Sequence, residues 1–171
     1  MIGDRAVTSG LVSLIALSVW LGAAIVVAAV VAPAAFAVLP TRTLAGALVG
    51  RVLPVLFFGG AVVGIGVALL ARGPGSATAR VVAGVAMVID CLAAQLVVAP
   101  RIERVRIDAG GPIDRLPPGD PRRAAFGRLH GMSVALLGVA ALAGAAALVL
   151  TLRALPVTIA RHDEANPSLE H

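Results

Sequence analysis

The sequence predicts an all-α fold, a four-helix bundle integral to a membrane, and three observations carry that prediction. The 171 residues are 59% hydrophobic and only 13% charged, against about 45–50% and about 25% in soluble domains. The apolar residues form four long stretches, each near or above the ~20 residues a helix needs to cross ~30 Å of hydrocarbon. Charged residues collect between those stretches, and the mean hydropathy of the whole chain is +0.99. So few polar residues separate the stretches that a single four-span domain over residues 1–168 is expected.

The first span is expected at about 9–39 and the second at about 44–71. Both exceed the minimum length, which implies tilt or kinks, and Pro33 and Pro54 are the natural kink positions. A signal peptide is the competing reading of the first stretch, because Ala35-Phe36-Ala37 resembles a cleavage site. The apolar run before it is too long for that, and the leading "MIGDR" carries no net positive charge. The third span is expected at about 81–99. Beyond it, "PRIERVRID" has the spacing to carry the helix a further turn or two into the headgroup zone. "GGPIDRLPPG" then breaks the chain. "DPRRAAFGRLHG" restarts a helix with Asp120 as N-cap and Pro121 at the first helical position. The fourth span follows at about 129–152. Small residues recur four apart, as in Gly46 and Gly50, Gly60 and Gly64, and Ala140 and Gly144, which predicts close helix approach within the bundle or between subunits.

The charge pattern excludes some functions. All fourteen basic residues are arginine, giving a formal charge of +5. They flank the apolar stretches, where they orient the chain and meet lipid headgroups, so no nucleic-acid partner is predicted. Four spans place both termini and the Arg72–Arg80 turn on one side. The arginines of the 40–43 and 100–128 connections fall on the other, and their excess predicts that those loops are cytoplasmic. The single cysteine excludes an internal disulfide. The ending Leu169-Glu170-His171 resembles the start of a purification tag and is left out of the fold.

Polar residues inside the spans are the candidates for chemistry, because an ionisable group at mid-span costs at least ~2.5–3.5 kcal/mol and is normally paired or faces a cavity. "MVIDCLAAQLVV" (87–98) places Asp90, Cys91 and Gln95 in the third span. Counting from Pro100, Asp90 lies about 15 Å below the loop surface and Gln95 about 8 Å. Counting from Leu44, Arg51 lies roughly 10 Å below the same surface, and His130 enters from that side too. Arg51, Asp90, Gln95, His130 and Ser133 are therefore the candidate solute or ion site, with Arg51 and Asp90 as a charged pair. The bland alternative is an internal ion pair and hydrogen-bond set that locks the helices. A protonated Asp90 would also suit a proton carrier. Met87, Cys91 and His130 form a soft-ligand set suited to Cu(I), although no CxxC or HxxxH spacing accompanies them. A haem held by two histidines would need a second histidine within a span, and none exists beside His130. With no nucleophile triad, phosphate loop or metalloprotease signature, neither catalysis nor a cofactor is predicted.

"WLGAAIVVAAVVAPAAFAVLP" (20–40), "AGALVGRVLPVLF" (45–57) and "FGRLHGMS" (126–133) together resemble the four-helix membrane family typified by human transmembrane protein 205. "APRI" (99–102) fits the same layout. The resemblance implies a four-helix membrane protein distantly similar to copper-resistance-D-type proteins, with a role in export of soft-metal or toxic compounds. It marks Gly22, Pro33, Phe36, Pro40, Gly46, Gly50, Arg51, Pro54, His130, Gly131 and Ser133. The family often carries an asparagine shortly after the serine; "VALLG" stands there instead. Asp90 and Cys91 match no family motif. The expectation is a non-enzymatic, homo-oligomeric protein of the bacterial inner membrane, in contact with lipid, that binds or moves a small solute or ion. Its alternatives are a structural or regulatory membrane protein and a metal- or haem-binding one.

Overall fold

The structure, a computed structural model, describes the backbone of residues 2–71 and 76–165 and the side chains of residues 6–71 and 76–155. Arg72–Gly75 of the short turn and the tag-like ending lie outside the described residues, as do the side chains of Arg5, Arg161 and His162. The described residues are helical apart from short connections, and four helices are long and apolar enough to cross a membrane: Ala6–Val38, Arg42–Leu70, Ala77–Ala109 and Pro121–Leu155.

Prolines shape the first three of these helices. Helix α1 (Ile2–Val26) passes through a π-helical turn (Val27–Val31) into α2 (Ala32–Val38). Pro33 has no N–H, and its ring crowds the carbonyl four residues back. The wider turn relieves both problems, and the Ala32 N–H donates to the Val27 carbonyl five residues earlier. The same device recurs before Pro100. There α4 (Ala77–Leu92) runs through a π turn (Ala93–Val98) into α5 (Ala99–Ala109), and the Ala99 N–H donates to the Ala94 carbonyl. Between them, α3 (Arg42–Leu70) carries Pro54 without interruption. Its N-terminus is capped by Thr41, whose hydroxyl accepts from the Leu44 N–H at 3.2 Å.

The third helix runs on through "PRIERVRID" to Ala109, about ten residues past the span expected to 99. The fourth starts at Pro121, where Asp120 and Pro121 predict a helix start, ahead of the span expected from 129. The long connection shrinks to residues 110–120. Gly110 closes α5 in the left-handed conformation at φ 63°, a backbone that glycine adopts without a Cβ penalty. Asp120 opens α6 (Pro121–Ala165): its carboxylate accepts from the Arg122 N–H at 2.8 Å and pairs with the Arg122 guanidinium at 2.7 Å.

The helices form a ring in which α1 packs on α3, α3 on α4, α4 on α6 and α6 on α1. Chain neighbours run antiparallel. The exterior is oily, with Ile15, Val19, Val55, Val62, Leu69, Ile89 and Leu142 all exposed, as a lipid-facing surface requires and a water-facing one does not tolerate. At the centre lies Trp20, whose indole N–H donates to the Leu56 carbonyl at 2.9 Å. The ring sits in a socket made by missing side chains. A Cβ on Gly60 would come within 2.8 Å of the indole and 2.7 Å of Cys91 Sγ, and one on Gly144 within 3.3 Å of the indole. Lower down, Gly64 and Gly84 meet backbone to backbone, each blocking a Cβ on the other. The buried hydroxyls of Ser13 and Thr151 donate to carbonyls four residues back, Ser9 and Ala147, so they need no partner from another helix.

Two outcomes follow. Gly60→Ala forces the indole or Cys91 out of place and is expected to cost about 1–3 kcal/mol. Gly66→Ala, where a Cβ would meet nothing within 4 Å, should be neutral or stabilising by up to about 1 kcal/mol. Thermal unfolding in detergent compares them. The Asp120 carboxyl is held at about 2, below its usual 3.8, first by the Arg122 side-chain hydrogen bonds. Because the folded value is lowered, its contribution is complete above about pH 4 and lost as pH falls through about 2. Amide exchange over residues 122–124 should therefore accelerate in that window, and Asp120→Asn should flatten the dependence.

Candidate functional site

Contacts between helices fix which residues share a depth. Gly64 meets Gly84, Gly60 meets Cys91, and Met87 Sδ lies 3.6 Å from the position of a Cβ on Gly144. At 1.5 Å rise per residue, Asp90 is then level with about Ala61 on α3 and about Ala141 on α6. Further along, the Arg106 guanidinium stands 5.5 Å from the Phe126 ring centre and 3.5 Å from the position of a Cβ on Gly46. The two sets of contacts give one register from end to end. Arg51, Arg101 and His130 share a level roughly 15 Å from the Asp90 layer, on the long-loop side. Arg80 lies about 15 Å away on the opposite side. Arg80 and Arg101 thus bracket a band of about 31 Å, close to the ~30 Å hydrocarbon thickness, with Asp90 near its middle.

This geometry separates residues that depth counting from Leu44 and Pro100 places together. Those positions are not the loop surface, because α5 continues past Pro100 and packs its Arg106 against Gly46 and Phe126. Orientation separates them as well. Arg51 precedes the core-facing Gly60 by nine residues, two and a half turns, so it projects from the opposite face of α3 and is exposed. Among the described residues Arg51 and Asp90 form no ion pair with each other or with any other group.

Asp90 sits between buried Cys91 and Ile89, which is 61% exposed. It is half-buried, and helical phase puts it on the side of α4 away from Val88 and Cys91, which face α3, and beyond Met87, which faces Gly144 of α6. It makes no hydrogen bond or ion pair with a described residue. Gln95 is half-buried in the second π turn, on the α3-facing side of the same helix. Ser133 is half-buried one turn in from Leu129, and His130 is exposed, its ring parallel to Phe126 at 6.2 Å.

The soft-ligand set is also divided. Met87 and Cys91 are fully buried packing residues, against Gly144 and Gly60 respectively. His130 lies fourteen residues from Gly144, about 21 Å along α6, too far to share a metal with either. Among the described residues no three His, Cys, Asp or Glu side chains converge on a metal-sized site.

Two buried residues, Trp20 and Arg80, belong to no sequence motif of the candidate site. Trp20 was legible only as the chain's single tryptophan. Arg80 looked like a topology marker in a turn, yet it is 5% exposed and faces the bundle interior. A signal for it exists. Arg80, Gly84, Met87, Cys91, Ala94 and Val98 follow a four-three spacing, which marks the inner face of a helix in a bundle.

No curated protein and no solved structure matches the chain. A family described as "Domain of unknown function (DUF4149)" matches residues 15–110, from within α1 to the glycine that closes α5. The match contains Trp20 and the Gly60 wall of its socket, Asp90, Gln95, Arg51 and both π turns, and stops short of Gly144, His130 and Ser133 on α6. On that match, over more than half of its length, the chain belongs to the DUF4149 family.

Proposed function

We propose that this membrane protein binds or moves a small solute or ion across the bilayer, and that Asp90 is the group that meets it. One observation carries this reading: a carboxyl group lies near mid-membrane, half-buried, with no hydrogen bond or ion pair to a described residue. An unpaired charge at that depth costs about 2.5–3.5 kcal/mol. A bound cation or a proton removes that cost. The resemblance to the transmembrane protein 205 family supports export of soft-metal or toxic compounds as the solute class, with the bacterial inner membrane as the setting. The role is non-enzymatic, and a homo-oligomer would cover the Asp90 edge.

A second reading has its own observation. The bundle axis is filled by Trp20 against glycine, which suits a structural or regulatory membrane protein in which Asp90 only joins helices or subunits.

Asp90→Asn and Asp90→Leu separate the two. For a solute or ion site, proton or cation flux through proteoliposomes falls to background in both variants. Thermal stability in detergent is then unchanged, or rises by about 1–3 kcal/mol for Asp90→Leu. A helix lock gives the reverse, lost stability with unchanged flux, and that result would sink the proposal.

A further inference from the structure

We infer that a collar of exposed arginines on the long-loop side, Arg51, Arg101 and Arg128, holds the phosphodiester headgroups of anionic phospholipids. Three separate helices supply it: Arg51 comes from α3, Arg101 from α5 and Arg128 from α6. The helix register brings them to one level. Arg51 and Arg101 lie about 15 Å from the Asp90 layer, and Arg128 is about one turn of α6 from His130, only a few ångströms farther out. Half of a ~30 Å hydrocarbon layer is the same distance, so these arginines leave the backbone at the hydrocarbon edge, from which their side chains reach the lipid phosphates.

Their lack of protein partners points the same way. Some arginines on this side have partners: Arg122 pairs with Asp120 at 2.7 Å, Arg123 donates to the Leu116 carbonyl, and Arg106 lies 3.7 Å from Glu103 and against Phe126. Arg42, Arg104 and Arg115 are exposed without one, and the collar differs from them by its depth. Among the described residues, Arg51, Arg101 and Arg128 have no carboxylate and no carbonyl to engage. All three are exposed on a surface that is otherwise oily. Asp108 and Asp114 are exposed farther out, beyond the headgroup level. A guanidinium offers two parallel N–H groups, which fit two phosphate oxygens and hold them more specifically than a point charge does. Positions on three helices bind lipids around the bundle's rim and not in one pocket.

The test is native mass spectrometry of the full chain, released from nanodiscs of equal phosphatidylglycerol and phosphatidylcholine. The expected result is enrichment of phosphatidylglycerol among co-purified lipids by roughly fivefold per arginine engaged. Arg51→Gln, Arg101→Gln and Arg128→Gln combined should return the ratio to that of the bilayer. The corresponding lysine variants should keep most of the enrichment, and Arg153→Gln, at the other end of the bundle, should keep all of it. Wild-type lipids at the bilayer ratio, or a monodisperse triple glutamine variant that stays enriched, overturns the inference. Should the triple variant aggregate, the three single variants must each show a partial loss; no loss in any of them is equally fatal. Millimolar inorganic phosphate should leave the enrichment intact, and its collapse would assign the arginines to a free anion instead.

Discussion

An indole cannot occupy the axis of a four-helix bundle unless the facing helices surrender their side chains around it. Trp20 does occupy that axis, and Gly60 and Gly144 are the surrender. The contact works as a register pin. With the ring seated, α3 and α6 cannot slide along α1, and the Gly64–Gly84 backbone contact then fixes α4. Hydrophobic force does not separate helix from lipid, so close contact and the Trp20 hydrogen bond to Leu56 must hold the bundle in register. Which polar residues share a depth is decided by that pin.

The oily spans make the fold class legible, and Asp120 with Pro121 makes the start of α6 legible. Both are local signals, readable without knowing what packs where. The extension of the third helix was also visible in "PRIERVRID", because its charges alternate with apolar residues at helical spacing. The site was less legible. Depth counted along one helix needs a zero, and Pro100 looked like a surface when it marks a π turn inside a continuing helix. Facing was the second difficulty. Arg51 looks intramembrane by count but points outward by phase, and only the inward line of Leu56, Gly60, Gly64 and Val67 shows it. His130 and the Met87–Cys91 pair share a chemistry without sharing a place.

The result is a division of polar groups by depth. Arginines stand at the two boundaries, hydroxyls turn inward onto their own helices, and one carboxyl is left near the middle. At the Trp20 level the bundle centre is filled by the indole against Gly60 and Gly144. Passage of a solute or ion on the proposed reading therefore runs along the bundle's side, where Asp90 lies. It is a route between helices, or between subunits, and it does not need the core to open.

The prolines carry a consequence for the membrane itself. Pro54 leaves the Gly50 carbonyl without its usual helical partner, and Pro33 and Pro100 disturb the ladder enough to require π turns. All three lie roughly 10–20 Å from the Asp90 layer on the same side. A backbone carbonyl without a donor is tolerable where water reaches it and expensive in hydrocarbon. The long-loop end is therefore intolerant of a thicker bilayer, whose tails would bury the weakened ladder together with Arg51 and Arg101. At the opposite end Arg80 is already shielded, and the one proline of α6 there, Pro156, stands farther out, about 22 Å from the Asp90 layer. Hydrophobic mismatch would be relieved at one leaflet only, so the protein is matched to bilayer thickness asymmetrically, and tilting is its recourse where the lipid is thick.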